Sequence, residues 1–468
     1  MVSPSRSPFD PSLDELRQMG ADVVELVSRF IDQRYQAPSV DYTDLEPLLE
    51  SLAISPAEDG IPLHQLLDLI ERAAGKGFDT ANPGFAAYIP GGGLYSAALG
   101  DFIACSMNRY TAIAAPAPAF VQMEASVLRW LCGVFGLPAT SQGVLTPGGS
   151  MANLSAIVTA RTAKLGERFL DGTMYVSDEV HHSITKSARF AGLPAEAVRV
   201  VSTDASLRMD PAALRAAIEE DRGRGTRPFL VVASAGTIGT GAVDPLDLIA
   251  DVASETDLWL HVDGAYGACF QLTHRGRDVL TGIERADSIT LDPHKGLFLP
   301  YGTGCLLARD ARALRDAHEA HADYLPPASD DDGLPDFSSF SPELTRDFRG
   351  LRLWLPLHLH GVAAFVRALD EKLDLAKLVH ERLAALPTLD VPWSPQLSLV
   401  TFRPRNGTNA DTEDLLRRIN ASARVWLSSA PIRGQLYIRM CILSHRSARE
   451  RVEEAVAIIA AAAAATDR

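Results

Sequence analysis

The stretch "PFLVVASAGTIGTGAVDPLDLIADVASETDLWLHVD", residues 228–263, decides the fold class. It begins and ends with short runs of branched and aromatic apolar residues, which are typical of buried strands. Between the runs, Asp244-Pro245 places a capping carboxylate before a proline at the first helical position. A strand, a helix and a second strand form a βαβ unit, so this stretch predicts a parallel sheet.

The same alternation continues on both sides of this stretch. Short apolar runs recur at "GVLT", "MYVS", "VRVVST" and "SITLD", separated by segments of helix length, and Asp210-Pro211 repeats the capping signal. We therefore predict an α/β fold, with a mainly parallel sheet and helices on both of its faces. The run "GTGCLLARD" is expected to return as an antiparallel strand.

Changes in pattern divide the chain into three parts. Residues 1–95 show helical spacing, between Leu13 and Tyr35 and again from Pro62 to Ala74, and are predicted to form a helical arm without strands. Residues 96–353 are predicted to form the large α/β domain, including a lid loop near residues 324–345. Residues 354–468 are predicted to form a small α+β domain, with a long helix from Trp354 and strands near "LSLVTFRP" and "QLYIRMCIL".

Composition excludes several classes of partner. The 468 residues include 44 Lys and Arg against 59 Asp and Glu, a net charge of −15 at pH 7. This charge repels phosphate backbones and anionic lipids, so we expect neither a nucleic-acid nor a membrane partner. The five cysteines lack the spacing of a disulfide framework or a zinc site, and the N-terminus lacks the apolar run of a signal peptide. A cytoplasmic location is expected.

Residues with useful chemistry follow the predicted strands, where an α/β sheet binds its ligands. Gly149 and Ser150 follow "GVLT" at a helix start, where backbone N–H groups form an anion cradle. The other strands are followed by His181, Thr237, Asp263 and Lys295. Pyridoxal phosphate needs an amine for a Schiff base, an acid beside its pyridine nitrogen and a phosphate site. The pattern therefore indicates this cofactor.

The stretches "TPGGSMANL", "SDEVHHS", "HVDGAYGA" and "SITLDPHKG" occur in this order, and together they resemble the pyridoxal phosphate dependent amino acid decarboxylases of the aromatic amino acid, histidine and glutamate group. The resemblance extends from "NPGFAAYIPG" to "YIRMCILSHRS". It implies the aspartate aminotransferase-like fold, which is fold type I of these enzymes. It also implies decarboxylation of an L-amino acid by a homodimer, with the active site at the subunit interface.

The resemblance assigns roles to individual residues. Lys295 would carry the Schiff base, Asp263 would partner the pyridine nitrogen, and His181 would stack on the ring and help to hold the reacting carboxylate. The residues expected to bind the cofactor are Gly149, Ser150, His181, Thr237, Asp263, Ala265, Asp292, His294 and Lys295. Those expected near the substrate are Tyr88, Pro90, Phe337 and Arg439. No metal site is expected, because His181 and His182 are adjacent and no third ligand has suitable spacing.

Two positions depart from the family pattern. Asp292 stands near the phosphate, where many relatives carry asparagine. In the decarboxylases a loop tyrosine protonates the carbanion left by CO₂ loss. Its position falls on Phe337, or on Phe340 in another register, and neither side chain can donate a proton. Plant relatives with phenylalanine there yield an aldehyde, ammonia and peroxide, so an aldehyde synthase is the alternative function. Tyr324 and His321 lie nearby as substitute proton donors.

The substrate is predicted less sharply. Ile89 and Ala112 stand where the aromatic enzymes carry phenylalanines, which indicates a roomier pocket, and we favour an aromatic amino acid. An acidic substrate would need an extra cation, for which Arg109 is the nearest candidate. A non-catalytic scaffold of the same fold is a further alternative. A nucleotide-binding oxidoreductase is disfavoured, because "GTIGTG" at residues 236–241 reverses the spacing of the dinucleotide fingerprint.

Overall fold

The computed structural model describes residues 7, 9–56, 58–319 and 333–465. The N-terminal arm contains α1 (Leu13–Gln33), β1 (Val40–Asp41), α2 (Leu45–Leu52), α3 (Leu63–Ala74) and β2 (Gly77–Phe78). A capping box starts α1, because Ser12 accepts from the Glu15 backbone while the Glu15 carboxylate accepts from the Ser12 backbone at 2.7 Å. β1 and β2 form a two-residue antiparallel pair that the helical spacing did not predict.

The large domain is built on a seven-stranded sheet with the order β3-β9-β8-β7-β6-β4-β5. Its strands are β3 (Gln142–Thr146), β4 (Gly172–Ser177), β5 (Val198–Val201), β6 (Arg227–Ser234), β7 (Trp259–Asp263), β8 (Ser288–Leu291) and β9 (Gly304–Ala308). Only β9 runs against its neighbours in this sheet. The predicted mainly parallel sheet with an antiparallel return strand is thereby confirmed.

Helices cover this sheet and leave its central strands fully buried. They are α4 (Tyr95–Met107), α5 (Pro118–Val134), α6 (Gly149–Leu165), α7 (His182–Phe190), α8 (Pro211–Gly223), α9 (Leu246–Glu255), α10 (His274–Val279), α11 (Pro293–Gly296) and α12 (Ala311–His318). Every residue of β4, β7 and β8 is buried. This burial explains why those strands appear in the sequence as continuous apolar runs rather than alternating ones.

One of the two predicted helix caps is wrong. Asp210 does cap α8, because its carboxylate accepts from the backbone N–H groups of Ala212 and Ala213. Asp244 does not cap α9; its two oxygens accept instead from the backbone N–H groups of Met209 and Ser234, each at 2.7 Å. Asp244 is a buried crosslink between a loop and the end of β6, and burial raises its pKa to about 6.

The small domain follows two helices, α13 (Gly350–His360) and α14 (Val362–Ala384). The single helix expected from Trp354 is split by Gly361, whose φ of 72° interrupts the helical path. The remaining elements are β10 (Leu389–Asp390), β11 (Leu399–Pro404), α15 (Asn409–Asn420), β12 (Ser428–Ile432), β13 (Gln435–Cys441) and α16 (Arg449–Ala464). The four strands form an antiparallel sheet in the order β10-β11-β13-β12. None of the described helices is long and apolar enough to cross a membrane.

Candidate active site

A cavity of about 480 Å³ lies beyond the carboxyl ends of β3, β6, β7 and β8. Because these strands are parallel, the residues that follow them are brought to one edge of the sheet. The predicted cofactor residues all line the cavity: Gly149, Ser150, His181, Thr237, Asp263, Ala265, Asp292, His294 and Lys295.

Lys295 lies on α11, the single helical turn that follows β8. Its Nζ atom is 2.9 Å from Asp292 Oδ2, and 23% of its side chain is exposed toward the cavity. Burial opposes the charge on Lys295, but the neighbouring Asp292 carboxylate more than offsets this effect and raises the pKa of the amine. The other Asp292 oxygen, Oδ1, is buried without a hydrogen-bond partner in the described part of the chain. The amine therefore rests as an ammonium ion against Asp292.

The anion cradle is the N-terminus of α6, which begins at Gly149 directly after β3. The first N–H groups of a helix have no intrahelical acceptor, so those of Gly149 and Ser150 are available to a ligand. A Cβ atom at Gly149 would lie 3.0 Å from Asp292 Oδ2 and 3.1 Å from Ala265 Cβ, so any larger residue would have to push these side chains aside by a few tenths of an ångström. Backbone donors, an amine and a carboxylate around one cavity fit pyridoxal phosphate.

Asp263 is the last residue of β7, and it lines the same cavity as Lys295. Its Oδ2 atom accepts from Asn153 Nδ2 at 3.0 Å, and its Oδ1 atom accepts from the backbone N–H of Ala265 at 3.2 Å. Both oxygens are therefore acceptors in the structure, as an ionised carboxylate requires. Such a group can hold a proton on a nitrogen that lies against it.

Each of the two histidines that line the cavity is held in place by hydrogen bonding at its Nδ1 atom. His181 caps α7, and its Nδ1 atom accepts from the Ser183 backbone N–H and lies 2.7 Å from Ser183 Oγ. His294 Nδ1 donates to the Thr303 carbonyl at 2.7 Å. Burial lowers the pKa of His181, against an opposing effect of Asp263, and burial likewise lowers the pKa of His294. Both rings are thus neutral donors or acceptors toward the cavity near neutral pH.

The remaining wall comes from the turn after β6 and from the N-terminal arm. Thr237 is buried, and its hydroxyl accepts from the Ala242 backbone N–H at 3.2 Å, which closes the turn. Ile89 lines the cavity from the arm. The arm approaches the cavity closely at Gly91. A Cβ atom there would lie 2.4 Å from the His294 carbonyl oxygen, so only glycine permits this approach.

None of the four predicted substrate residues is among the lining residues of the cavity. Tyr88 is 52% exposed and Pro90 is buried, and neither belongs to the lining. Arg439 is also outside it. Its guanidinium donates to the carbonyls of Gly239 at 3.1 Å and Tyr88 at 3.2 Å and to Ser428 Oγ at 3.0 Å. Arg439 thus joins the small domain to the segments that carry Ile238 and Ile89, rather than presenting its charge to the cavity.

Phe337 and Phe340 also lie apart from the lining residues of this chain. They bound a short 3₁₀ turn and are 0% and 3% exposed, within the core of the large domain. The Phe337 ring packs against the Arg346 guanidinium, 4.9 Å from ring centroid to Cζ. Tyr324 and His321, the proposed substitute donors, lie outside the described residues.

Sequence reasoning missed a set of polar residues behind Asp263. Asn153, Ser183 and Tyr266 line the cavity, and His261 is fully buried behind it. A signal for His261 was present, since it is a polar residue two positions before Asp263 in an otherwise apolar strand. Residues two apart in a strand point to the same face.

Comparison with known proteins identifies the family. The pyridoxal-dependent decarboxylase conserved domain matches residues 47–405. An aromatic-L-amino-acid decarboxylase of Bacillus atrophaeus is 34% identical over 450 residues, which is 94% of each chain. The 4-hydroxyphenylacetaldehyde synthase of Rhodiola rosea is 26% identical over 474 residues, 95% of each chain.

A solved structure of Oryza sativa TDC with PLP and tryptamine has a TM-score of 0.93 and 27% identity, covering 99% of this chain and 100% of that one. The fold is therefore that of the fold type I enzymes, as predicted. The domain match covers well over half of the chain, and it agrees with a cavity whose residues fit the cofactor. The chain belongs to the pyridoxal phosphate dependent amino acid decarboxylases.

Proposed function

We propose that this enzyme decarboxylates an aromatic L-amino acid, with its cofactor attached covalently to Lys295. The observation that carries the proposal is the placement of Lys295, Asp263 and the α6 N-terminus around one cavity. Pyridoxal phosphate, when bound, supplies an electron sink for the charge released as CO₂ leaves. All other roles belong to the chain.

Each role follows from the atoms that face the cavity. The Gly149 and Ser150 N–H groups would bind the phosphate, and the Lys295 amine, which Asp292 holds in place, would carry the covalent attachment. Asp263 would keep the ring nitrogen protonated. With Nδ1 of His181 occupied as an acceptor, its Nε2–H is free to donate to a substrate carboxylate.

A neutral, bulky substrate agrees with the lining. Lys295 is the only lysine or arginine among the lining residues that the structure describes, and Ile89 and Ile238 are apolar. Arg109, the candidate for binding an acidic side chain, donates to the Pro116 carbonyl at 2.6 Å and is not part of the lining. The relatives named aromatic-L-amino-acid decarboxylase and tryptophan decarboxylase support the same class of substrate.

The proposal is tested by incubating the purified holoenzyme with a panel of aromatic, imidazole and acidic L-amino acids. The expected result is CO₂ and an amine from an aromatic substrate, without peroxide. Lys295→Ala should lose both this activity and the visible absorbance of the attached cofactor, whereas Lys164→Ala, at a surface ion pair with Asp257, should retain both. A Lys295→Ala variant that kept activity and absorbance would refute the attachment site.

The second candidate is an aldehyde synthase, motivated by Phe337 and Phe340 and by the relative named 4-hydroxyphenylacetaldehyde synthase. It predicts aldehyde, ammonia and peroxide in equal amounts with CO₂. If it is right, Phe337→Tyr or Phe340→Tyr should restore amine. If the wild-type enzyme makes amine without peroxide, this candidate is rejected whatever the loop register.

We also propose that the enzyme is a homodimer. α1 has no buried residue, although its apolar side chains recur on one face; Leu16 is 53% exposed and Met19 is 43% exposed. An apolar helix face of this kind is normally covered by another surface. Light scattering should give twice the 50.4 kDa mass of the chain. A monomeric mass, with α1 still helical, would contradict the proposal.

A further inference from the structure

A buried chain of hydrogen bonds runs behind Asp263 and away from the cavity. Trp259 Nε1 donates to Ser288 Oγ at 2.8 Å, and Ser288 Oγ lies 2.8 Å from His261 Nδ1. His261 Nε2 lies 3.1 Å from Asn153 Oδ1, and Asn153 Nδ2 donates to Asp263 Oδ2 at 3.0 Å. The chain joins β7, β8 and α6, and its members are buried.

Only one direction of hydrogen bonding agrees with all of these contacts. The Asp263 carboxylate oxygen accepts, so the Asn153 amide faces it with its NH₂ group and turns its Oδ1 atom toward His261 Nε2. Because an amide oxygen can only accept, His261 Nε2 carries a proton and donates it, and Nδ1 of the neutral ring is an acceptor. The Ser288 hydroxyl therefore accepts from the indole N–H of Trp259 and donates to His261 Nδ1. Burial lowers the pKa of His261 to about 4, which agrees with the neutral ring.

The Asn153 amide also reaches the second functional group of the site. Its Nδ2 atom donates to Ser183 Oγ at 3.2 Å as well as to Asp263, so each of its two hydrogens has one acceptor. His181 Nδ1 accepts from the Ser183 backbone N–H, so it is unprotonated, and the Ser183 hydroxyl, 2.7 Å away, donates to it as well. This arrangement leaves the proton of His181 on Nε2.

We propose that Asn153 is a positioning residue that orients the Asp263 carboxylate and, through Ser183, fixes the tautomer of His181, and that His261 in turn fixes the orientation of Asn153. The inference rests on the proposed function, because it assumes that Asp263 and His181 act on the cofactor and substrate. It adds that two groups on different elements, β7 and the start of α7, are set by one amide.

The test uses holoenzyme variants read by steady-state kinetics, by the visible spectrum of the bound cofactor without substrate, and by the Kd for pyridoxal phosphate. Asn153→Ala should lower kcat roughly 10- to 100-fold, because a hydrogen bond to a charged group is lost, with little change in KM. The cofactor spectrum should also change, because it reports the protonation of the ring. His261 does not line the cavity, so His261→Phe should lower kcat and change the cofactor spectrum in the same direction as Asn153→Ala, but by less.

Ser155→Ala is the matched control. Ser155 is on the same helix as Asn153, is 1% exposed, and its hydroxyl has no partner among the described residues. It should retain the wild-type kcat, spectrum and Kd. If Asn153→Ala fails to fold, Ser183→Ala tests the branch to His181 alone, and it should lower kcat roughly threefold to tenfold with an unchanged cofactor spectrum.

Asp263→Asn separates failure of this inference from failure of the proposed function. If Asp263→Asn loses activity while folded Asn153→Ala and His261→Phe keep wild-type kcat and spectrum, the positioning role is refuted and the proposed function stands. A folded Ser183→Ala variant with wild-type kcat refutes the branch to His181. If Asp263→Asn itself keeps wild-type kcat, both the inference and the proposed role of Asp263 are refuted.

Discussion

Asp292→Asn should speed the attachment of pyridoxal phosphate to the apoprotein. Asp292 holds Lys295 as an ammonium ion at 2.9 Å, and only a neutral amine can attack the aldehyde of the cofactor. Asparagine has the same shape and can still accept a hydrogen bond, but it removes the charge that raises the pKa of Lys295. It also removes a carboxylate from beside the anion cradle, where Asp292 Oδ2 lies 3.0 Å from the Cβ position at Gly149.

The size of the effect follows from the ion pair. At 2.9 Å and an effective dielectric constant of about 20, two unit charges attract by about 6 kcal/mol. Solvent that reaches the exposed 23% of the Lys295 side chain reduces this attraction. If about a quarter of the attraction, roughly 1.4 kcal/mol, must be overcome before the neutral amine can attack, its removal in Asp292→Asn raises the rate of attachment about tenfold.

The assay is the growth of cofactor absorbance after apoprotein and pyridoxal phosphate are mixed at pH 7.5. Asp287→Asn is the control, because it makes the same change at the other end of β8, where Asp287 Oδ2 accepts from the Leu260 backbone at 2.8 Å, outside the cavity. A rate for Asp292→Asn equal to that of the control, or slower than wild type, would refute the reasoning.

The same substitution should destabilise the apoprotein at pH 7.5. The pKa of Lys295 is raised in the folded state, so its contribution to stability is complete below the unfolded value of 10.5 and disappears as the pH rises through the folded value. Because the pair is partly exposed, the expected loss for Asp292→Asn is about 1–3 kcal/mol in urea unfolding. The difference from wild type should narrow above pH 10.5.

Two further predictions concern one buried and one half-buried carboxylate. Glu124 and Arg346 are both fully buried and 2.6 Å apart, so Glu124→Gln should cost about 3–5 kcal/mol of unfolding free energy, whereas Glu255→Gln, in an exposed pair with Arg215, should leave it unchanged. Equal urea midpoints for these two variants would contradict this expectation. Burial raises the pKa of Glu179 from 4.5 to about 7, so wild-type stability should fall as the pH rises through that window. In urea unfolding measured at a series of pH values, the free energy of unfolding of Glu179→Gln should depend less on pH than that of the wild type. An equal dependence on pH in the two proteins would contradict the raised pKa of Glu179.

The elements that the sequence predicted well are those whose signal is local. The βαβ alternation follows from apolar runs and helix-length spacers, and the cofactor follows from residue types that must stand at strand ends. Asp244 shows where this reasoning failed. Asp-Pro at a helix start indicates a cap, but the Met209 and Ser234 N–H groups compete for the same carboxylate, and both are distant in sequence.

Arg439 shows a different limit. Its position in a family stretch indicated the substrate, whereas two of its three hydrogen bonds connect a strand of the small domain to Tyr88 and Gly239. Those acceptors are backbone carbonyls, which any residue type supplies, so the sequence carries no sign of them. Contacts of this kind become visible only when the chain is folded.

The cofactor and the substrate differ in how strictly they constrain the sequence. Pyridoxal phosphate requires an amine, a carboxylate and a cluster of N–H donors, and few residue types can replace Lys295, Asp263 or Gly149. The apolar side chains Ile89 and Ile238 line the cavity from the arm and a turn, and apolar contact can be provided by many residues. We therefore expect substitutions at these two positions to change the preferred amino acid while the residues around the cofactor stay fixed. Exchanging Ile89 or Ile238 for phenylalanine should alter the ratio of kcat/KM between substrates and leave the cofactor spectrum unchanged.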